Sequence, residues 1–596
     1  MKAFIFLFFC FCIQVNAQIY NQKIWATYHF GVASSAIDVC FDHEGNIIVL
    51  GTIENIQSPP YYDSFTTLGA HKRNFDIANT NTSIYNDIDI TLSKFNSDGE
   101  LLWATQFGSN DGELANKLVI DSNNNIYFVG LSGGTTGVAT PGAFQEEYPW
   151  DQQGSGFLTK FDTNGVQQWG TYISYSNFLG LCVDQNDNIF VNGITQFGTN
   201  ITTVGVYQEN FQNFINPEIP DDLPYNGFVM KFDNNGNQLA STYLGKVVNT
   251  EGVSHIEVDE GGNLLVVQYT NYLSNNQFAT PGCHQNMNST TTSMRDVTIT
   301  KLNNSLTEVL WSTYFGGNGN CSIQSVLCKN NNIYLVGSTR ESNNIVTSGC
   351  YQSNFIGTGS NGFVAKFDNN GERQWGTYFP VGIINLVVNE NNLYICGTAS
   401  NINNILTTTG SYQNILGGVN DGFFSEFNTD GSHNWSSFFG GEADEKINSI
   451  TIKDNNLVLF GSTRSVSNIS TFGSHQSNLD IGNITLDSPY CENMFLAKFN
   501  KDNLSTIDFS NLQLQLSPNP NNGQFTITGN INNLQKNMSL LIYDSLGRQI
   551  ASKAIQVTGN QINQEFSFVN QLSQGLYFAK ISDGKSVLQT FKVLVD

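Results

Sequence analysis

The sequence predicts an all-β protein made of a repeated four-stranded antiparallel sheet, followed by a small β-sandwich. A motif of Trp, small residues and aromatic residues, such as WSTYFGG at 311–317, recurs along most of the chain. Its copies lie 60 to 78 residues apart, which is the spacing of an architectural repeat. No segment keeps the 3.6-residue apolar period of an amphipathic helix, so we expect almost no helix. Counting Leu239 as a Trp equivalent, the seven motif positions are Trp25, Trp103, Trp169, Leu239, Trp311, Trp375 and Trp435.

Each repeat contains four strand-like runs. Between residues 322 and 379 they read SIQSVLC, IYLVGST, GFVAKFD and RQWGTYF, and Asn, Asp and Gly turns join most of them. Short runs of β-branched and aromatic residues separated by such turns are typical of antiparallel strands. The third run also occurs seven times. Seven such units predict a seven-bladed β-propeller of four-stranded antiparallel blades.

Several segments resemble a known repeat. They are TPGAFQ at 140–145, FVAK at 363–366, STYFGG at 312–317 and DSNNNIYFVGLS at 121–132. Together they are similar to the seven-bladed β-propeller repeat of secreted bacterial proteins, and the resemblance supports a propeller over 18–510. The Trp25 strand precedes the first complete unit, whereas the last unit has no Trp strand of its own. We therefore expect the N-terminal strand to complete the last blade and to close the ring without an unpaired edge.

The N-terminus has the pattern of a secretory signal peptide over 1–17. It contains one Lys, an apolar run too short to span a bilayer, and small residues before a cleavage site after Ala17. No later run approaches the roughly 18 apolar residues of a membrane helix, so we expect none in the mature chain. No lipobox-like cysteine follows the apolar run. The chain is therefore predicted to pass through the periplasm to the cell surface or the medium.

The net charge and the cysteine content argue against some classes of function. The net charge of −24 argues against nucleic-acid binding, which needs a basic surface. Eight cysteines remain after signal removal, and an even number permits disulfides in an exported protein. They lack metal-type spacing, and several lie in apolar strands, which favours buried thiols over bridges. Cys321 and Cys328 are the candidate pair for a disulfide.

The last 84 residues, 513–596, have a different pattern of short strands and Gly turns, which predicts the β-sandwich. This segment resembles the type A C-terminal sorting domain read by the type IX secretion system of Bacteroidetes. The resemblance implies export by that machinery, removal of the domain, and release or surface attachment of the remainder. Asp544 and Arg548 have two interpretations, as recognition residues or as polar groups of a turn. The matching residues are Pro518, Asn519, Pro520, Gly523, Tyr543, Asp544, Gly547, Arg548, Gly575 and Tyr577.

No residue pattern predicts catalysis, a metal site or a cofactor. The sequence has no GxSxG, HExxH or Cys–His constellation. Three histidines fill a slot that other repeats fill with Phe or Tyr, which favours packing over metal binding. Three turn aspartates lack the alternating oxygen ligands of a calcium loop. Two acidic loops are more typical of a solvated rim. These residues are His71, His284 and His475; Asp162, Asp233 and Asp368; and Asp111, Glu113, Asp444 and Glu445.

The long connections between second and third strands vary from repeat to repeat, and such loops usually form a binding face. In the first three repeats they span about 52–88, 131–155 and 195–226. Tyr61, Tyr62, Tyr148 and Trp150 lie beside carboxylates and amides there, which suits a glycan or protein ligand. The alternative is that these aromatics pack the loops onto the sheets. At the level of function, the sequence favours non-catalytic binding, with a carboxylate-dependent polysaccharide hydrolase or lyase and a structural envelope or matrix protein as alternatives.

Overall fold

The chain divides into two compact units, Met1–Lys501 and Asp502–Asp596. The computed structural model describes residues 22–54, 65–72, 88–149, 154–173, 176–195, 201–213, 225–246, 255–271, 278–287, 295–317, 321–340, 343–356, 359–400, 406–482, 485, 488, 491–501, 512–531, 538–544, 548–557, 561–582 and 587–596. Neither unit contains an α-helix within these ranges. Over the same residues, no helix has the length and apolar character needed to cross a membrane.

Four-stranded antiparallel sheets build the first unit. In chain order its strands are β1 (Gln22–His29), β2 (Ser34–Phe41), β3 (Ile47–Glu54), β4 (Ile88–Phe95), β5 (Leu101–Phe107), β6 (Glu113–Ile120), β7 (Ile126–Ser132), β8 (Ser155–Phe161), β9 (Gln167–Ile173), β10 (Ser176–Val183), β11 (Ile189–Thr195), β12 (Asn226–Phe232), β13 (Gln238–Lys246), β14 (His255–Val258), β15 (Leu264–Asn271), β16 (Arg295–Leu302), β17 (Val309–Phe315), β18 (Cys321–Lys329), β19 (Asn332–Thr339), β20 (Asn361–Asp368), β21 (Arg373–Phe379), β22 (Ile383–Asn389), β23 (Asn392–Ser400), β24 (Asn420–Asn428), β25 (His433–Phe439), β26 (Glu445–Lys453), β27 (Asn456–Thr463) and β28 (Asn493–Asn500).

The sheets follow the chain four strands at a time. Sheets 1 to 6 are β2–β5, β6–β9, β10–β13, β14–β17, β18–β21 and β22–β25, and sheet 7 is β26–β28 with β1 at its edge. The first strands contact one another in the cycle β2, β6, β10, β14, β18, β22, β26 and back to β2. This arrangement confirms the predicted all-β, propeller-like fold of repeated antiparallel sheets. The pairing of β1 with β28 is the arrangement expected if the N-terminal strand completes the last blade.

Buried aromatic residues hold neighbouring sheets together. In five of the seven sheets, the Trp of the fourth strand donates its indole N–H to a backbone carbonyl in the turn after the third strand of the next sheet. Sheet 3 has Leu239 at this position, and Trp435 of sheet 6 donates to Glu426 Oε2 in its own sheet. Because both partners recur with the repeat, the interface recurs too. The donor and acceptor pairs are Trp25–Ser97, Trp103–Thr163, Trp169–Asn234, Trp311–Asn369 and Trp375–Thr429, each at 3.1 Å.

The segments related to TPGAFQ cover the exposed edge of every fourth strand. In sheet 2, Thr140 donates its backbone N–H to the Gly170 carbonyl at 3.0 Å, and Tyr172 donates to the Gln145 carbonyl at 3.1 Å. An uncovered edge strand is a template for aggregation, and this segment occupies its hydrogen-bonding groups. The Thr contact recurs in all seven sheets, from Thr67, Thr140, Thr203, Thr280, Thr347, Thr408 and Thr471.

The slot with the three histidines is a packing position. His71, His284 and His475 each place the ring against a Phe in the third strand of the next sheet, as Phe and Tyr do in other repeats. Burial lowers the pKa of all three, and that of His284 falls to about 4. The ring pairs are His71–Phe161, Phe144–Phe232, His284–Phe367, Tyr351–Phe427, Tyr412–Phe499 and His475–Phe95, with centroids 5.1 to 5.6 Å apart.

The second unit contains a three-stranded and a four-stranded antiparallel sheet around one hydrophobic core. The strand orders are β29-β30-β33 and β32-β31-β34-β35. The core includes Phe525, Ile542 and Phe566. The strands are β29 (Leu512–Ser517), β30 (Gln524–Ile531), β31 (Met538–Asp544), β32 (Gln549–Ile555), β33 (Gln561–Ser567), β34 (Gly575–Ser582) and β35 (Val587–Val595).

Candidate ligand-binding site

A cavity of about 560 Å³ lies where the first strands of the sheets meet. Its wall takes residues from the first strands of all seven sheets, and we call it the axial cavity. Cys321 and Ser322 contribute from the start of β18, and Ser338 and Thr339 from the end of β19. The cavity therefore lies toward the end of the sheets from which the long second-to-third connections leave.

One ring of positions, the axial belt, surrounds this cavity, and all of its residues except Ser449 line the wall. Each belt residue lies four positions before the first residue of the turn that joins the first and second strands in sheets 1 to 4, and five positions before it in sheets 5 to 7. In most sheets the strand register shifts immediately before it, and such bulges redirect side chains. The residue type at the belt position differs more from sheet to sheet than the residue types of the scaffold around it. Its residues are Asp38, Lys117, Gly180, His255, Ser325, Asn385 and Ser449.

Hydrogen bonds join five belt residues into a chain that crosses five sheets. Ser325 Oγ donates to Asn385 Oδ1 at 3.2 Å, and Asn385 Nδ2 donates to Ser449 Oγ at 3.1 Å. Ser449 Oγ donates to Asp38 Oδ1 at 2.7 Å. The chain ends at Lys117, whose ammonium lies 3.0 Å from Asp38 Oδ2. Such a network holds the polar groups of the wall in fixed orientations.

The chain is interrupted at Gly180 and His255. Gly180 has no side chain to extend into the cavity. His255 points its Nε2 at the Ile323 carbonyl, 3.3 Å away. Burial lowers the pKa of His255 to about 4, so its ring is neutral at physiological pH.

Two further charged groups shape the field in the cavity. Burial alone would lower the pKa of Lys117, but the carboxylates of Asp38 and Glu257 raise it above its ordinary value. Burial raises the pKa of Glu257 to about 7, although Lys117 opposes the shift. Lys117 is thus a permanent cation, whereas Glu257 changes charge near neutral pH.

Sheet 4 departs from the repeat in its second strand, and it supplies His255, Glu257 and Tyr269 to the wall. Its second strand has Gln268 where the other six sheets have Gly51, Gly130, Gly193, Gly337, Gly397 and Gly461. Tyr269 Oη donates to the Ile323 carbonyl at 2.8 Å and accepts from the Ile323 N–H at 2.9 Å. Both bonds fix the bulged start of β18. Local departures from a repeat are expected at functional sites.

The structure describes one of the four aromatic residues that the sequence marked for binding. Tyr148 is half-buried, with its ring edge-on to Tyr172 at 5.3 Å and its hydroxyl donating to the Ser132 carbonyl at 3.3 Å. Part of its surface is thus used in packing. Tyr61, Tyr62 and Trp150 lie outside the described residues.

The acidic loops contain buried carboxylates. Glu113 accepts from the Ser109 N–H and from Ser132 Oγ, each at 2.8 Å. Burial, with Asp89 nearby, raises the pKa of Glu113 to about 8. Glu445 is similarly buried, and it accepts from the Gly441 N–H and Thr463 Oγ1, each at 2.6 Å. These carboxylates hold loops in place and have no path to a substrate.

The turn aspartates also have local roles. Asp162 Oδ1 accepts from the backbone N–H groups of Asn164 at 2.9 Å and Val166 at 3.0 Å, and Asp233 and Asp368 make the same pair of contacts. These contacts support the turn interpretation. Among the described residues, no group of three or more His, Cys, Asp or Glu side chains could hold a metal ion. The eight cysteines are free thiols, including Cys321 and Cys328, which lie on the same strand.

In the second unit, Asp544 and Arg548 pair across the turn after β31. Arg548 Nε lies 2.7 Å from Asp544 Oδ2, and the Arg548 N–H donates to Asp544 Oδ1 at 2.9 Å. Asn519 and the end of β35 are also joined, because the Leu594 N–H donates to Asn519 Oδ1 at 2.8 Å. Gly547 lies outside the described residues. The recognition role of the motif stays a prediction.

Sequence reasoning missed the axial belt. Its signal was present as a position of varying residue type, four or five residues before the turn that joins the first and second strands. No catalytic motif matches the belt, because the belt residues are 60 to 79 positions apart and share no residue type. Only the meeting of the first strands brings them together.

Comparison with known proteins identifies the C-terminal segment. Residues 515–596 match the model of the secretion system C-terminal sorting domain. The chain therefore carries a type IX sorting domain, and its localisation is secreted or cell-surface. A search of curated proteins finds no match.

Solved structures resemble the chain only distantly. A protein of unknown function from Dyadobacter fermentans is 10% identical, with 80% of this chain and 99% of that chain covered and a TM-score of 0.34. The phage phi92 endosialidase is 10% identical, with coverages of 96% and 87% and a TM-score of 0.35. PorZ, a surface component of the type IX secretion system of Porphyromonas gingivalis, is 11% identical, with coverages of 94% and 81% and a TM-score of 0.22. These likenesses carry no argument about ligands or activity.

Proposed function

We propose that the first unit binds a glycan or protein ligand in the axial cavity without catalysis, after export through the C-terminal sorting domain. The main supporting observation is that sheet 4, whose second strand has Gln268 in place of the repeated Gly, supplies His255, Glu257 and Tyr269 to the cavity wall. If the sheets served only as a scaffold, we would expect these positions to keep the residue types of the repeat. The domain boundaries proposed are 1–17 for the signal peptide, 18–510 for the propeller and 513–596 for sorting.

The composition of the wall supports binding of a polar ligand. Asn116, Gln324 and Asn448 add amide groups to the belt, and Arg340 lies exposed at its edge. Amides and hydroxyls in fixed orientations suit the hydroxyl groups of a sugar. We place Tyr61, Tyr62, Tyr148 and Trp150 at an outer subsite, because the connections that contain them leave the same end of the sheets.

The hydrolase alternative needs two carboxylates that flank a bond. Of the described acids on the cavity wall, Asp38 and Glu257 come from different sheets, and Asp38 accepts hydrogen bonds from both belt neighbours. An acid held in this way is a poor nucleophile or base. Binding without bond cleavage is therefore the better account of the site.

A pair of matched Trp substitutions tests the proposal. Gln324 is an exposed residue of the cavity wall on β18, and Gln374 is an exposed residue on β21 of the same sheet. We expect Gln324→Trp to abolish binding to ligands found on a glycan array or by pull-down of surface proteins, and Gln374→Trp to leave it intact. Equal binding by both variants would exclude the axial cavity. Release of reducing ends or unsaturated sugars would instead favour the enzyme.

A further inference from the structure

The two carboxylates of the axial cavity differ in how they are satisfied. Asp38 Oδ1 accepts from Ser449 Oγ and the Val39 N–H, and Asp38 Oδ2 accepts from Lys117 and from the Leu118 N–H at 3.2 Å. Glu257, within the part of the chain that the structure describes, accepts no hydrogen bond. Glu257 is half-buried, and a carboxylate that loses part of its water needs a partner to be ionised at little cost.

The groups that surround Glu257 do not supply that partner. Lys117 is engaged with Asp38, and its single positive charge faces two carboxylates. His255 is neutral, since burial lowers its pKa to about 4. Burial also raises the pKa of the Cys182 and Cys328 thiols well above its ordinary value, so both are uncharged. Arg340, the other cation of the wall, lies exposed at its edge, and no ion pair joins it to Glu257 in the described structure. Glu257 therefore has no cation of its own when it is ionised.

A second group on the wall also lacks a partner. The side-chain oxygen of Asn448 is buried without a hydrogen bond in the described structure. The oxygen itself has no surface open to a ligand, but the Asn448 amide lines the cavity with those of Asn116 and Gln324, and amides offer donors and acceptors. A ligand that satisfies this wall combines one cationic donor with several hydroxyl groups.

We propose, on the basis of the binding function above, that Glu257 makes the axial cavity selective for a primary ammonium group on an amino sugar. The ammonium donates to the Glu257 carboxylate, and the ring hydroxyls bond the amides of Asn116, Gln324 and Asn448. An N-acetylated sugar has no charge to offer Glu257 and needs more room at the nitrogen. A hydrogen bond between two ions is stronger than one between neutral groups, so the ammonium gives the larger gain.

Calorimetric titration at neutral pH with a chitosan tetrasaccharide, whose amines are free, and with its fully N-acetylated counterpart tests this assignment. We expect the wild-type protein to prefer the free amine by about tenfold or more. Glu257→Gln should remove this preference. Glu308→Gln is the matched control, because it removes the same charge from an exposed side chain and should leave the preference unchanged.

Folding is followed separately by thermal melting. Glu257→Gln should melt at or above the wild-type temperature, because it replaces a half-buried carboxylate that accepts no hydrogen bond with a neutral amide. A lower melting temperature with an unchanged amine preference would mean that Glu257 serves only to balance Lys117, and would overturn the proposal. Equal affinity of the wild-type protein for both sugars, or binding of a lysine peptide in place of the amino sugar, would overturn it as well. Loss of glycan binding in Gln324→Trp would still support the cavity itself, so the two proposals fail separately.

Discussion

Trp25 donates its indole N–H to the backbone carbonyl of Ser97 at 3.1 Å, and thereby joins the first strand of the chain to sheet 1. Trp25 itself belongs to sheet 7, where β1 pairs with β28. Lys498, also in sheet 7, donates to the same carbonyl at 2.8 Å. Trp103 and Thr163 make the equivalent contact between sheets 1 and 2. The interface made by the two ends of the repeat region is therefore built like an internal one.

We predict that deletion of residues 19–30 destabilises the whole first unit and not one sheet alone. The deletion removes the edge strand of sheet 7 and the buried Trp25. Loss of a buried Trp alone typically costs about 3–5 kcal/mol, so the free energy of unfolding should fall by at least that amount. Thermal melting followed by circular dichroism measures the effect. Trp103→Ala is the control for an internal interface, and a truncated protein that melts like the full chain would rule out closure by β1.

We predict that Gly165→Ala destabilises the protein more than Gly142→Ala. Both glycines have positive φ, +78° and +83°, so both substitutions carry the backbone strain of about 1 kcal/mol. At Gly165 the new Cβ would also lie 2.8 Å from the ring of Trp103, whereas at Gly142 it would meet nothing within 4 Å. Overpacking adds about 1–3 kcal/mol. Chemical denaturation of both variants gives the difference, and equal losses would mean that the Trp ring moves away at little cost.

The repeat made most of the fold predictable from the sequence. The places where the repeat changes can also be explained from the sequence. A turn Gly follows the third strand wherever the Trp of the preceding sheet lies against that turn, at Gly99, Gly165, Gly236, Gly371 and Gly431. Trp435 donates to Glu426 instead, and no Gly follows β28. Leu239 stands in the Trp position of sheet 3, and the next turn correspondingly has Leu306 with φ of +60°. The pairing of β1 with β28 was predictable because Trp25 precedes the first complete unit. These inferences work because each depends on neighbouring residues of one repeat.

The candidate site was much less predictable. Asp38 and Ser449 lie 411 positions apart and are joined by a single 2.7 Å hydrogen bond. Nothing local marks either residue, since polar residues also occur on exposed strand faces. Similarly, the sequence around Glu113 suggests a loop at a solvated rim, yet Glu113 begins β6 and is fully buried. Contacts outside the single strand determine both arrangements, and the residue pattern of one strand carries no information about those contacts.

We predict that Glu113→Gln flattens the dependence of stability on pH. The pKa of this carboxyl is about 8 in the folded protein against an ordinary 4.5, so the unfolded chain ionises first as pH rises. Between these values the wild-type free energy of unfolding falls with pH, by up to about 1.4 kcal/mol per pH unit from this group. The variant should match the wild type at low pH and exceed it above pH 8. Denaturation at several pH values measures this, with Glu308→Gln as the exposed control; parallel profiles for Glu113→Gln and wild type would contradict it.

We predict that truncation after about residue 510 leaves a folded first unit stranded in the periplasm. The two units have separate cores, so removal of residues 513–596 takes no buried residue from the first. The sorting domain is what directs passage across the outer membrane. Fractionation of the native host, with protease protection of the periplasmic pool, measures the outcome. Appearance of the truncated protein at the surface or in the medium in the amount seen for the full chain would defeat the prediction.

The last prediction concerns the outer subsite. Replacement of Tyr148 and Trp150 with Ala should weaken glycan binding by about 1–3 kcal/mol and barely change the melting temperature, as at an aromatic hot spot. The packing of Tyr148 against Tyr172 supplies the competing expectation, in which the double variant melts earlier and binds less only through unfolding. Tyr148→Phe separates the two, because it removes the bond to the Ser132 carbonyl and keeps the ring. If the double variant lost stability while its affinity stayed intact, these aromatics would be loop packing, and the ligand would be confined to the axial cavity.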